Sequence, residues 1–67
     1  MEVFAGRLKD LRESSGMSQK QLAKELGVAY SAICYWETSQ RVPSFENVIK
    51  IAKFFNVSLN YLAGFED

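Results

Sequence analysis

The stretch QKQLAKELGVAYSAICYWE, residues 19–37, decides the fold of this chain. Ala23 places a small side chain where two helices that cross at a steep angle must bring their backbones close together. Gly27 follows one helical turn later and accepts the positive φ that a tight turn requires. Ile33 and Trp36 share one face of the next helix and would anchor it to the body of the domain. The spacing therefore predicts two helices joined by a short turn, with one face of the second helix left free.

Capping residues and helical periodicity predict three further helices outside this unit. The two helices of the unit are expected at 19–26 and 29–37. The others are expected at 3–14, ending before Gly16, from the cap Ser44 to Asn56, and from the cap Ser58 to about Gly64. The residues expected to face the core are Phe4, Leu8, Leu11, Leu22, Ala23, Leu26, Ile33, Trp36, Phe45, Val48, Ile51, Ala52, Phe55, Leu59 and Leu62. No stretch alternates with the period of a strand, so the expected fold class is all-α, with five short helices around one core.

Length and composition exclude most catalytic and metal chemistry. The 67 residues are expected to form a single domain, residues 1–67. The chain has no histidine and only one cysteine, Cys34, so it cannot build the usual zinc sites, nucleophile–histidine pairs or an internal disulfide. We therefore expect no enzyme activity, no metal and no cofactor. No apolar run approaches the roughly 18 residues of a membrane span, and the sequence shows no basic-then-apolar N-terminal segment, so we expect a cytoplasmic protein without a membrane partner.

The charge balance argues against a nucleic-acid partner when it is taken over the whole chain. Eight Lys and Arg are matched by eight Asp and Glu, whereas proteins that bind nucleic acid commonly carry a basic excess. Three of the acidic residues lie at the extreme ends: Glu2, Glu66 and Asp67. Between residues 3 and 65 eight basic residues face five acidic ones. The central part of the chain therefore carries a modest positive excess.

Several motifs together resemble the Cro and phage-repressor family of helix-turn-helix regulators, which includes the lambda repressor. They are LKDLR in the first helix, LAKELGV at the turn, ICYWE at the end of the third helix, a polar loop reaching PS, and VSLNYL near the end of the chain. The resemblance implies a compact lambda-repressor-like domain whose helix-turn-helix unit is 19–37. It also implies a transcriptional regulator, a prophage or mobile-element repressor, that binds a palindromic double-stranded DNA operator as a homodimer.

The resemblance also implies roles for individual residues. The third helix would lie in the major groove, and the residues matching base-contacting positions are Tyr30, Ser31, Cys34 and Tyr35. Those matching phosphate-contacting positions are Gln19, Gln40, Arg41 and Ser44. The third helix has no Arg, Lys, Asn or Gln on this face, so bidentate base contacts are missing, and apolar, shape-based or water-mediated discrimination is expected instead. Thr38 and Ser39 stand where relatives often have Asn-Gly, which suggests another turn conformation after the third helix.

Two structural expectations and one alternative function complete the prediction. In relatives, the residues matching Arg12 and Glu37 form a partly buried ion pair, and we expect the same pair here. Tyr61 and Phe65 are candidates for a dimer surface, although both could equally complete the core, which is the role expected of Leu59. Net neutrality and the aromatic third helix also fit a protein-interaction module on the same fold, such as an antitoxin or a repressor antagonist.

Overall fold

The computed structural model describes residues 2–66 and contains five helices and no strand within them. The helices are α1 (Glu2–Ser14), α2 (Gln19–Leu26), α3 (Tyr30–Glu37), α4 (Phe45–Phe55) and α5 (Leu59–Ala63). The five-helix all-α architecture expected from the sequence is confirmed. α2 and α3 form the helix-turn-helix, in which α2 packs against α4 and α3 packs against α1 around a shared core.

Serine side chains start three of these helices by accepting hydrogen bonds from otherwise unpaired backbone N–H groups. Ser18 and Gln21 form a reciprocal capping box at α2, with donor–acceptor distances of 3.1 and 2.7 Å. Ser44 accepts from the N–H of residue 47 at 3.2 Å, and Ser58 accepts from the N–H of residue 61 at 2.9 Å. Left-handed residues end α2 and α4: Gly27 has φ 70° after α2, and Asn56 has φ 55° after α4.

The core takes at least one fully buried apolar side chain from every helix. These side chains are Phe4 and Leu8 of α1, Leu22 of α2, Ile33 of α3, Ile51 of α4 and Leu62 of α5. Ala23 and Trp36 are also buried in this cluster. Burying a large aliphatic or aromatic side chain stabilises a fold by roughly 1.5–3 kcal/mol. This shared cluster therefore fixes the position of the short helix α3.

Two core expectations and two helix bounds from the sequence are wrong. Phe45 is 70% exposed and Leu59 is 38% exposed, although both were expected to face the core. Each is the first residue of its helix, and a side chain there leans back toward the helix N-terminus, past the last point of packing. α3 begins at Tyr30, because Ala29 has extended backbone angles and acts as the N-cap, and α1 begins at Glu2.

Candidate nucleic-acid interface

α3 is held by one face, which leaves the opposite face at the surface. Ile33 and Trp36 are buried against the other helices. Ala23 is buried where α2 approaches α3, and its carbonyl accepts a 3.0 Å hydrogen bond from the N–H of Val28 in the turn. Gly27 takes the left-handed conformation that joins the two helices. The four structural residues of the unit thus fix α3 so that its outer side points away from the core.

The outer face of α3, which we define as Tyr30, Ser31, Cys34 and Tyr35, brings together all four residues predicted to contact bases. Tyr30 and Ser31 are exposed, whereas Cys34 and Tyr35 are half-buried. Interaction with the Cys34 side chain, one helical turn away, raises the pKa of the Tyr30 phenol. A tyrosine phenol is protonated at neutral pH in any case, so Tyr30 can donate a hydrogen bond. This face offers hydroxyl groups and aromatic rings, and no charge of its own.

Arg12 and Glu37 form a bidentate ion pair that ties α1 to the end of α3. Arg12 Nε donates to Glu37 Oε2 at 2.6 Å and Arg12 Nη2 donates to Glu37 Oε1 at 3.0 Å. The side chains are only 11% and 3% exposed. The hydrogen bond with Glu37 raises the pKa of Arg12, and the opposing effect of burial is smaller. Arg12 Nη1 also donates to the carbonyl of Met17 at 2.8 Å, so the guanidinium holds the α1–α2 connection as well.

Gln19, one of the predicted phosphate contacts, is engaged inside the protein. Its Nε2 donates to Glu37 Oε1 at 3.0 Å, and its Oε1 accepts a hydrogen bond from Cys34 Sγ at 3.3 Å. The side-chain amide therefore links the ion pair to the outer face of α3. An amide nitrogen carries two donors, and the second N–H of Gln19 has no partner among the hydrogen bonds of residues 2–66. Sequence spacing gave no signal for this arrangement.

The other three predicted phosphate contacts lie in or beside the loop between α3 and α4. Ser44 and Arg41 line a groove of about 310 Å³, together with Ser31, Ala32, Tyr35, Trp36, Val42, Pro43 and Asn47. The Arg41 guanidinium carbon lies 4.8 Å from the centroid of the Tyr35 ring. Gln40 is exposed, and its Nε2 donates to Thr38 Oγ1 at 2.9 Å. The groove therefore joins the outer face of α3 to the start of α4.

A positive φ turns the chain at the start of this loop. Ser39 has φ 61°, a conformation that glycine adopts at little cost and that L-residues with a side chain adopt rarely. Ser39 stands at the position where relatives often have Gly. The loop therefore holds Ser39, a residue with a side chain, in a left-handed conformation.

Comparison with known proteins identifies the class of molecule. A family model described as helix-turn-helix matches residues 8–62. The chain belongs to this family, in its Cro and phage-repressor branch. Over 64 residues it is 36% identical to the HTH-type transcriptional activator BcrR of Enterococcus faecalis, covering 96% of this chain and 31% of BcrR. It is 31% identical over 58 residues to the cryptic phage CTXphi transcriptional repressor RstR of Vibrio cholerae, covering 87% of this chain and 52% of RstR.

A solved structure agrees with this assignment. The crystal structure of the restriction-modification controller protein C.AhdI from Aeromonas hydrophila matches with a TM-score of 0.81 and 33% sequence identity, covering 91% of this chain and 92% of that one. The chain spans 31% and 52% of the length of the two curated relatives above, so those proteins extend well beyond the shared helix-turn-helix domain. None of the helices in residues 2–66 is both long and apolar enough to cross a membrane.

The residues considered for a dimer surface lie on and after α5. Phe65 is 83% exposed, whereas Tyr61 is half-buried and packs against the core. The Arg7 guanidinium carbon lies 4.2 Å from the centroid of the Tyr61 ring, and Arg7 Nη1 donates to the carbonyls of Tyr61 and Glu66. Arg7 thus fastens α5 to α1, a role that sequence reasoning missed. Leu59 borders an open apolar cavity of about 400 Å³ between α4 and α5.

Proposed function

We propose that this domain binds double-stranded DNA sequence-specifically and that α3 enters the major groove. The observation that carries the proposal is the division of α3 into a buried face, Ile33 and Trp36, and an outer face on which Tyr30 and Ser31 are exposed. A helix with side chains is about 10–12 Å across, which suits a major groove about 12 Å wide. The similarity to transcriptional regulators of the helix-turn-helix family also supports DNA binding.

The chemistry of the outer face suits discrimination by hydroxyl groups and apolar contact. Ser31 can donate to or accept from several base edges, and a tyrosine ring can pack on a thymine methyl group. Tyr30, with its protonated phenol, can donate to a base or a phosphate acceptor. Because no side chain here can make a bidentate contact with guanine or adenine, sequence-dependent DNA shape and bridging water carry more of the specificity.

Phosphate contacts flank this face in the proposal. Arg41 and Ser44 border the groove beside α3, and Gln40 precedes Arg41 in the loop. The second N–H of Gln19 reaches the DNA backbone from the start of α2. Phosphate contacts fix the register of a protein on the duplex, and each one adds to the salt dependence of binding. Lys20, whose Nζ lies 5.6 Å from the centroid of the Tyr30 ring, adds positive charge near the first turn of α3.

We further propose that the domain acts as a repressor of prophage or mobile-element genes and binds a palindromic operator as a homodimer. The similarity to RstR supports the repressor role. Reading helices of a dimer lie about 34 Å apart along the duplex. The Cα extents of 28 × 23 × 20 Å allow two copies at that spacing to touch through their side chains. The proposed contact surface consists of Phe65, Tyr61 and the exposed Leu59.

Selection of bound sites from a random duplex pool tests the proposal, because it returns the motif, its palindromy and the half-site spacing together. The variant Tyr30→Ala/Ser31→Ala/Tyr35→Ala, checked for folding by circular dichroism, should lose preference for the selected duplex. The matched control is Phe54→Ala, which removes an exposed aromatic ring of α4 outside this face. A folded triple variant that binds the selected duplex as tightly and selectively as the parent would refute the role of α3.

A salt titration separates DNA binding from the alternative of a protein-interaction module. Binding of a mixed-sequence duplex should weaken steeply as salt rises, because bound phosphates release counterions. An absence of binding even at low salt would favour the interaction module.

A further inference from the structure

Tyr35 and Arg41 form a stacked pair at the edge of the outer face of α3. The guanidinium carbon lies 4.8 Å from the ring centroid, within the range of about 6 Å over which a cation is attracted to an aromatic face. Tyr35 is half-buried and Arg41 is exposed. The ring therefore forms a fixed support, and the cation lies on its outer side.

The loop backbone reinforces this pairing. The N–H groups of Gln40 and Arg41 both point to the carbonyl oxygen of Tyr35, at 2.9 and 3.4 Å. Ser39, with its positive φ, turns the chain back so that these contacts form. Tyr35 thus holds the backbone of residue 41 through its carbonyl and the side chain of residue 41 through its ring.

No carboxylate in residues 2–66 forms an ion pair with Arg41. Among residues 2–66 the one ion pair joins Arg12 and Glu37, and none of the residues that line the groove beside Arg41 carries a carboxylate. The groove does carry hydroxyl and amide groups, from Ser44 and Asn47. A cation held in place without a counter-charge, among polar groups, suits an anionic partner at this position.

We propose that Tyr35 is a positioning residue, whose ring holds Arg41 in the orientation that contacts one DNA phosphate. This role differs from the base contact expected for Tyr35 from the sequence, and it rests on the proposed DNA-binding function. A flexible arginine loses conformational entropy when it binds a phosphate, and prior stacking on a ring removes part of that loss. The hydroxyl of Tyr35 has no part in the positioning, because the attraction comes from the ring.

The test measures affinity for a fluorescent mixed-sequence duplex over a range of salt concentrations, with the variants Y35F, Y35L, R41Q and Y35L/R41Q. A mixed sequence removes the contribution of base reading. We expect R41Q to reduce the slope of log K against log salt by about 0.9, the value for one lost phosphate contact. Y35L should weaken binding about two- to fivefold, as expected for loss of an exposed cation–π pair. Y35F should bind like the parent, and Y35L should have no further effect in the R41Q background.

A measurement on the free protein keeps this test separate from the test of DNA binding. The ring current of Tyr35 should shift the NMR signals of the Arg41 side chain upfield in the parent and in Y35F, but not in Y35L. The positioning role is overturned if the parent binds DNA and the effects of Y35L and R41Q multiply, or if the Arg41 signals are the same in the parent and Y35L. If the ring-current shift is present and no variant or parent binds duplex at low salt, DNA binding itself fails, and the phosphate role of the pair fails with it.

Discussion

Replacing Glu37 by alanine should cost this small domain most of its stability. The Glu37 carboxylate accepts two hydrogen bonds from Arg12 and one from Gln19, and its side chain is only 3% exposed. Without it, the Arg12 guanidinium stays buried with the Met17 carbonyl as its remaining partner. Breaking a buried pair by removing one member costs about 3–5 kcal/mol. A folded chain of 67 residues typically has a free energy of unfolding of about 3–10 kcal/mol.

Urea denaturation followed by far-ultraviolet circular dichroism measures this loss. With an m-value of about 1 kcal/mol per molar urea, the urea concentration at the midpoint of unfolding should fall by about 3 M or more. If the Glu37→Ala variant is already unfolded in water, it should refold when the osmolyte TMAO is added. Glu37→Gln keeps the volume but removes the charge, and should lose about 1.5–3 kcal/mol. The matched control is Glu25→Ala, which removes an exposed carboxylate of α2 and should change stability by less than about 0.5 kcal/mol.

A double variant shows whether the cost comes from the orphaned charge. Arg12→Met/Glu37→Leu replaces both ions by apolar side chains, and such exchanges are often neutral or stabilising. We expect it to recover most of the stability that Glu37→Ala loses. A loss below about 1 kcal/mol for Glu37→Ala would refute this reasoning, because such a value is typical of an ion pair exposed to solvent.

Further substitutions test other features of the domain. Ser39→Gly should raise the free energy of unfolding by about 0.5–1 kcal/mol in the same assay, because Ser39 has φ 61°. Asn56→Gly should raise the free energy of unfolding by less, since asparagine tolerates the left-handed conformation. Gly64→Ala should cost about 1–3 kcal/mol, because Gly64 has φ 89° and the new Cβ would lie 2.8 Å from Val3 Cγ1. Adding Val3→Ala should relieve the steric part, and no relief would disprove the clash. Phe65→Asp should leave the free energy of unfolding within about 0.5 kcal/mol of the parent. It should nevertheless reduce dimer formation on a duplex with two binding sites, as measured by sedimentation. Unchanged dimer formation would exclude Phe65 from the interface.

The helix-turn-helix could be predicted from the sequence because local chemistry and tertiary packing agree there. Gly27 supplies the turn, Ser18 caps α2, and Ile33 and Trp36 lie one helical turn apart, so each local preference points to the same structure. The position of the outer face of α3 follows from the same periodicity. What those side chains contact does not follow from it.

The features that sequence reasoning missed all depend on contacts between distant segments or on helix ends. Gln19 was expected at a phosphate, and nothing in its spacing indicated that Glu37 and Cys34 would hold its amide. The stack of Arg41 on Tyr35 depends on the path of a loop. Phe45 fits the apolar stripe of α4, yet its side chain is exposed. An apolar stripe indicates which side of a helix faces the core, but it does not indicate whether neighbouring helices extend far enough to cover the first turn.

The unequal attachment of the outer face of α3 has a consequence for the proposed selection of DNA sites. Tyr30 and Ser31 are exposed, so exchanging them should alter the proposed DNA selection at little cost to folding. Cys34 donates a hydrogen bond to Gln19, and the ring of Tyr35 contacts the Arg41 guanidinium. A substitution at Cys34 or Tyr35 therefore disturbs these neighbours too. New specificities are therefore most accessible, by evolution or by design, through the first turn of the helix.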